Sequence, residues 1–254
     1  MFTRQYNYEK DYEDAYHWRL VPWKISDGGF EYFEYANFII HLISKISPRT
    51  ILDIGCGDGR ITDMIAQSIK GAEVLGIDIS HNAIKWAKKY SKYAKFECVS
   101  LEEMSRKGIT FELVTMIEVL EHLESEQARQ WIENILPKLT MKCGRIIITV
   151  PTINFPMIHE GHKRHFSRES MNELFKNTLF SITNYYWMYD MQGCWRFGRG
   201  NFIRQLVRLI DNKYWNIRPL TKVLADIHRR RYRFSSEERA GRMVVQLERS
   251  STAL

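Results

Sequence analysis

The 254-residue chain has little of what would place it in a membrane or outside a cell. Its longest apolar stretches, around Phe38–Ile43 and Arg145–Val150, break within a few residues, whereas a membrane-spanning helix needs about 20 apolar residues in a row. The first ten residues, Met1 to Lys10, lack the apolar core of a secretory leader. The four cysteines, Cys56, Cys98, Cys143 and Cys194, are scattered without a C-x-x-C pair. That spacing reads as reduced thiols in a cytoplasmic protein, buried at least at Cys56 and Cys98. Internal repeats and low-complexity tracts are also missing.

Evenly spread charge is absent too. Residues 191–254 hold 14 Lys and Arg against 5 Asp and Glu, a net +9, while the rest of the chain is at −2. A basic excess confined to one quarter of the chain calls for a local explanation, such as an anionic partner, rather than a general one.

What is present is one good core's worth of apolar residues, 44% of the chain. Phe33–Ile46 has the spacing of a helix stopped by Ser47-Pro48. Strands and helices then alternate: Thr50–Ile54, a helix from Arg60, Glu73–Ile77, a helix over 82–92, Phe96–Val99, Phe111–Met116, a helix over 125–139 and Arg145–Val150. Strands that are apolar throughout and alternate with helices predict a parallel sheet covered on both faces. Ser167 caps a further helix to about Lys176, Phe180–Tyr189 reads as a strand, and Met243–Leu247 reads as the last one. Residues 1–35 are crowded with aromatics that no strand requires, which suits either a packed cover or a lid over a substrate pocket.

The run Asp53-Ile54-Gly55-Cys56-Gly57-Asp58-Gly59-Arg60 joins strand to helix through alternating glycines. Gly55 and Gly57 let backbone approach a ligand where a side chain would clash. The spacing is not the G-x-G-x-x-G of a dinucleotide site, and Arg60-Ile61 does not supply the Lys-Ser or Lys-Thr of a phosphate loop. The run from Asp53 to Arg60 closely resembles the first motif of the class I S-adenosylmethionine-dependent methyltransferases, and within them the chain is similar to the ubiquinone-biosynthesis group. The resemblance continues through Gly76-Ile77-Asp78-Ile79-Ser80, Ile117–Leu123 and Ile146–Pro151, over roughly residues 35–190 and a strand near 243–249.

That resemblance implies a Rossmann-like α/β fold with a doubly wound seven-stranded sheet, parallel but for an antiparallel final hairpin. It divides the single domain into an aromatic cap (1–35), a cofactor-binding core (36–189), a basic helical insertion (190–242) and a last strand with tail (243–254). It gives S-adenosyl-L-methionine as cofactor. Asp53 would receive its ammonium end, and the loop Gly55-Cys56-Gly57 would pass along its methionine and ribose. Asp78 would hold both ribose hydroxyls, Ile79 would pack on adenine, Ser100, Leu101 or Glu102 would meet the adenine edge, and Ile117 would line the methyl-donating region.

Methyl transfer from a sulfonium needs positioning more than machinery, so a base is required only for a protonated acceptor. His122, His162 and His165 are the candidates, since imidazole titrates near neutrality. Glu118, Glu121 and His122 would share one face if they lay on a helical turn. With His162 or His165 they would permit a divalent ion, a reading subordinate to the metal-free one.

The acceptor expected is a small or lipid-linked molecule methylated on O or N. The aromatic N-terminus suits an apolar acceptor. The amphipathic insertion, ending in His228-Arg229-Arg230-Arg231, suits peripheral contact with an anionic membrane. RNA methylation of the 2′-O type is the alternative, with Tyr232 and Phe234 among arginines as stacking platforms, although nucleic acid is the less favoured partner. A non-catalytic cofactor-binding module is the third reading. Nothing in the sequence sets an oligomeric state.

Overall fold

A computed structural model describes residues 7–22, 28–156, 159–191 and 233–251. After a 3-10 turn (Tyr8–Tyr12) and a short helix α1 (Tyr16–Arg19) come helix α2 (Gly29–Ile46), strand β1 (Thr50–Ile54), α3 (Arg60–Ser68), β2 (Glu73–Asp78), α4 (His81–Tyr90), β3 (Lys95–Cys98), α5 (Leu101–Arg106) and β4 (Phe111–Ile117). A 3-10 turn (Leu120–His122) leads to α6 (Ser125–Gln130), a π-helical turn (Trp131–Ile135), α7 (Leu136–Leu139), β5 (Thr140–Pro151), α8 (Arg168–Phe175), β6 (Phe180–Asp190) and β7 (Ala240–Arg249).

The seven strands form one sheet in the order β3-β2-β1-β4-β5-β7-β6. The first five are parallel, and β7 lies antiparallel between β5 and β6. The doubly wound sheet with its antiparallel final hairpin is therefore as the sequence implied. Successive residues of the central strands face opposite layers. Ile51, Leu113, Ile147 and Val244 pack with α2 and Ile65 of α3, whereas Leu52, Val114, Ile146, Ile148 and Val245 pack under α5, α6, α7 and α8. Both faces of the sheet are covered, which is why its strands are apolar throughout.

The differences from the sequence reading have physical causes. The helix over 125–139 is interrupted, because Pro137 sits in the first turn of α7 and has no N–H to continue the ladder. Strand β5 begins five residues early, at Thr140, with a register shift against β4 and Cys143 at φ 59°. Helix α5, not foreseen, is closed by a capping box between Ser100 and Glu103. Cys56 and Cys98 are half-buried rather than buried, and Cys143 is exposed; Cys56 lies in a loop and Cys98 ends an edge strand, so neither is enclosed.

The insertion over 190–242 lies largely outside the described residues, Arg229, Arg230 and Arg231 included. Its two ends meet beside β6: Tyr189 N–H donates to the Arg233 carbonyl, Ser235 N–H to Trp187, and Arg239 pairs with Asp190. Among the described residues, no helix is long and apolar enough to cross a membrane.

Candidate active site

Three consecutive alternating glycines, Gly55, Gly57 and Gly59, have φ of 68°, 56° and 78°. Side chains are strained in that left-handed region, so the loop can turn sharply at the carboxyl edge of β1 only because these are glycines. A Cβ on Gly55 would stand 2.6 Å from Val119, and one on Gly57 would run into the Tyr12 hydroxyl. Asp78 closes the loop from β2. One of its oxygens accepts the Gly57 N–H at 2.9 Å and the other accepts the Ser80 N–H at 2.9 Å. Burial raises the Asp78 pKa, against three backbone N–H bonds that lower it. Ile79, beside it, is 57% exposed and offers a free apolar face at the same edge.

Asp53 lies beneath the loop rather than on it. It is 2% exposed and accepts hydroxyl hydrogen bonds from Thr62 at 2.6 Å and Thr115 at 2.7 Å. Burial pushes its carboxyl up to about 6 despite those two donors. Cys56 is the half-buried turn residue between the glycines, and burial pushes its thiol well up. Ser100 is engaged by the cap of α5, and Glu102 accepts from the Trp131 indole at 2.8 Å. Leu101 is buried, and the N–H groups of Val99 and Ser100 are taken by the Asp78 carbonyl and the Glu103 carboxylate. Ile117 ends β4, half-buried, across from Thr149.

The described part of the aromatic N-terminal segment lies across this cradle and reaches His122 through Tyr8. Glu9 accepts from the N–H groups of His81 and Asn82 and from the Ser80 hydroxyl, capping α4. Tyr12 covers Gly57, and the Trp86 indole donates to its carbonyl at 3.1 Å. His17 and Trp18 both bind Asp58, at 3.0 and 2.7 Å. The density of aromatics was legible in sequence, but their target was not.

The second cluster follows β4 and β5. Glu118 has φ 56°, so 118–122 is not one helical turn and its three acid and imidazole groups do not share a face. Glu118 instead pairs with Arg242 and accepts from Tyr35 at 2.9 Å and Thr149 at 3.0 Å. Glu121 is fully buried, and neither carboxylate oxygen has a hydrogen-bond partner. Burial and the Glu118 charge push its pKa well up, toward the neutral acid.

His122, His159 and His162 converge, with one ring nitrogen of each within 4.8 Å of the others. His165 extends the group through His162 Nδ1, 2.9 Å from its Nε2. The tautomers follow from the carbonyls. The Phe155 carbonyl, 3.0 Å from His165 Nδ1, can only accept, so that nitrogen carries the proton. Neutral His165 then accepts from His162 Nδ1–H, which leaves a lone pair on His162 Nε2. By the same logic the Gly161 carbonyl, 3.2 Å from His122 Nδ1, leaves a lone pair on His122 Nε2. Burial and the neighbouring imidazoles push the His162 pKa down to about 3. His159, whose Nδ1 accepts from Gly161 N–H at 3.0 Å, opens the histidine run after β5, of which the sequence reading singled out His162 and His165.

A glycine cradle closed by an acid from the next strand, at the carboxyl edge of this sheet order, matches the sequence resemblance element for element. A methyltransferase domain model matches residues 51–141. Over that segment the chain is similar to the class I S-adenosylmethionine-dependent methyltransferases. It is 27% identical over 116 residues to a ubiquinone biosynthesis O-methyltransferase of Idiomarina loihiensis, covering 42% of this chain and 47% of that protein. It is 32% identical over 92 residues to the protein of the same name in Nitrosomonas europaea, covering 34% and 38%. The chain thus spans about half or less of the length of these curated relatives. Magnesium protoporphyrin IX methyltransferase of Synechocystis PCC 6803, solved with S-adenosylmethionine, shares the fold with a TM-score of 0.57 over 98% of this chain and 100% of that one, at 17% identity.

The methyltransferase cofactor fits the residues present: glycines at positive φ leave the backbone of the loop bare and Asp78 stands beside it, although Tyr12 lies on Gly57 and must move for a ligand to reach that backbone. A divalent ion fits a different set from the one the sequence suggested. His122 and His162 offer free lone pairs to one, but His159 would have to give up the Gly161 N–H that its Nδ1 accepts, and all three would have to move inward, since two ligands about 2.1 Å from an ion stand no more than about 4.2 Å apart.

Proposed function

We propose that this chain transfers a methyl group from S-adenosylmethionine to an oxygen or nitrogen of a small-molecule or lipid-linked acceptor. The observation that carries the reading is the juxtaposition, at one sheet edge, of a glycine cradle shaped for a ligand and a histidine cluster with free lone pairs. When bound, the cofactor supplies an electrophilic methyl on a sulfonium. Asp78 is proposed to hold the ribose hydroxyls and Asp53 to attract the ammonium through the loop, with Ile79 against adenine and Ile117 beside the reacting methyl. His162 Nε2, whose lone pair the His165 contact leaves free, is proposed to take the acceptor's proton as the new bond to the methyl makes that proton strongly acidic, which lets even a weakly basic imidazole accept it, with His165 fixing its tautomer and His122 beside it. The N-terminal segment, which touches both the cradle and His122 through Tyr8, is proposed to exclude water from the reaction.

The test is calorimetry with S-adenosylhomocysteine, followed by transfer of labelled methyl to a panel of catechols, hydroxybenzoates and amines. Absence of cofactor binding would end the reading. The second reading, favoured by the three converging imidazoles and the partnerless Glu121, adds a divalent ion. Full activity in excess EDTA is the expected outcome, and loss that added Mg²⁺ or Mn²⁺ restores would establish the ion. The basic stretch over 190–242 is proposed to meet an anionic membrane surface; liposome pelleting against RNA gel shift separates that from the nucleic-acid alternative.

A further inference from the structure

Beside the histidine cluster lie two adjoining cavities of about 630 and 250 Å³. Arg164 and His165 line both. The larger also has Ile153, Phe155 and Lys163 on its wall and no acidic residue. Lys163 is already paired with Glu124 at 3.3 Å, which leaves Arg164 as the cation of this cavity.

The state of that guanidinium is unusual. Its plane is held over the Phe166 ring at 5.0 Å, and Nη1 donates to the Ser125 hydroxyl at 3.1 Å. Nε and Nη2, by contrast, are shut off from solvent and have no acceptor. Those two N–H groups form one edge of the guanidinium, the edge that pairs side-on with the two oxygens of a carboxylate or phosphate. A buried donor without an acceptor costs folding free energy, and the protein retains two on one residue at the wall of a cavity. The smaller cavity contains Glu173, but that carboxylate is paired with Lys176 at 3.3 Å.

We infer that the cavity bounded by Ile153–Pro156 and Lys163–His165 is an oxyanion subsite, in which Arg164, leaving its Ser125 contact, turns the sealed Nε/Nη2 edge into the cavity to bind a carboxylate or phosphate carried by the methyl acceptor. Arg164 is adjacent to His165 and two residues from His162, so an acceptor anchored there is held against the proposed base. The anchor would set which acceptor enters, because a neutral analogue leaves the two donors unpaired. This rests on the methyltransferase reading of the site and narrows its substrate class to anionic acceptors.

Three probes of one ring test it: benzoate, phenyl phosphate and the neutral isostere benzamide, each titrated by ligand-observed NMR into the full chain with and without S-adenosylhomocysteine. At least one anion should bind tenfold or more tightly than benzamide. Preference for benzoate assigns a carboxylate acceptor, and preference for phenyl phosphate assigns a phosphorylated one. Arg164→Gln should bring the preferred anion within twofold of benzamide. Arg164→Lys, which keeps the charge but loses the fork, should retain only part of the preference. Unchanged thermal melting and S-adenosylhomocysteine affinity in both variants exclude a folding defect. Equal binding of all three probes to the wild type overturns the subsite, as does an anion preference that survives in folded Arg164→Gln. Failure to bind S-adenosylhomocysteine would count against the methyltransferase reading alone.

Discussion

The glycine loop after β1 and the histidine loop after β5 stand at the same edge of the sheet but are built in opposite ways. In the first, conformation comes from residues two apart in sequence, and almost every polar group is satisfied: Asp78 closes on Gly57 and Ser80, and Asp53 on Thr62 and Thr115. In the second, side chains converge from positions 122 and 159–165, and donors and acceptors are left over at Glu121 and Arg164. A finished loop suits a ligand common to a whole family, since bare backbone and two already fixed acids are what would receive it. An unfinished cluster suits the ligand that differs from one enzyme to the next, because its missing partners must come with that ligand.

The contrast can be broken or sharpened experimentally. The largest effect is expected on the histidine side. His162→Gln should lower kcat by roughly 10²–10⁴ for a hydroxyl acceptor with S-adenosylhomocysteine affinity unchanged; a drop in cofactor affinity instead would merge the two regions into one site.

Next is Asp53→Asn. The carboxyl sits at about 6 in the folded chain against an ordinary 3.8, so the folded state binds its proton more tightly than the unfolded state does. Ionised Asp53 therefore opposes folding above about pH 6, an effect that fades as pH falls from 6 toward 3.8. About two pK units correspond to about 3 kcal/mol. Urea titration at pH 7.5 should show the variant more stable by up to about that amount, with the gain shrinking at pH 5. The same carboxylate, if it attracts the cofactor ammonium, should make wild-type cofactor affinity decline below pH 6.

Asp78→Ala comes third. Loss of a charge-assisted hydrogen bond is worth about 1.5–3 kcal/mol, so cofactor affinity should fall by one to two orders of magnitude, measured by calorimetry. An unchanged dissociation constant would remove Asp78 from the ribose site. The smallest effect is expected from the covering segment. Tyr12→Ala uncovers Gly57 and should speed both association and dissociation of S-adenosylhomocysteine several-fold in stopped flow. Equal rates would mean that the segment stays in place while ligand enters elsewhere.

Much of the cofactor side was legible because its determinants are local. The alternation of glycines after Ile51–Ile54, the acid at Asp78 and the apolar strands all follow from short-range sterics and strand periodicity. The cap of α5 was within reach as well, since Ser100 and Glu103 form the pattern of a capping box. The acid-histidine run over 118–122 misled for an instructive reason. Helical spacing assumes a helix, and here Glu118 is turned into the left-handed region with its carboxylate drawn to Arg242, a partner 124 residues away.

By itself the sequence determined the class of fold, with the antiparallel final hairpin that its resemblance implied, and the glycine loop after the first strand as the place where backbone is left bare. Tertiary structure alone decided that Tyr12 lies on Gly57, that His159 joins His122 and His162, and that Arg164 lines a cavity while one edge of its guanidinium is buried without an acceptor. The division has one physical cause. Backbone geometry is governed by each residue and its near neighbours, so it is written in local pattern. The convergence of side chains depends on how separate loops pack, and that is fixed only when the sheet brings distant segments to one edge.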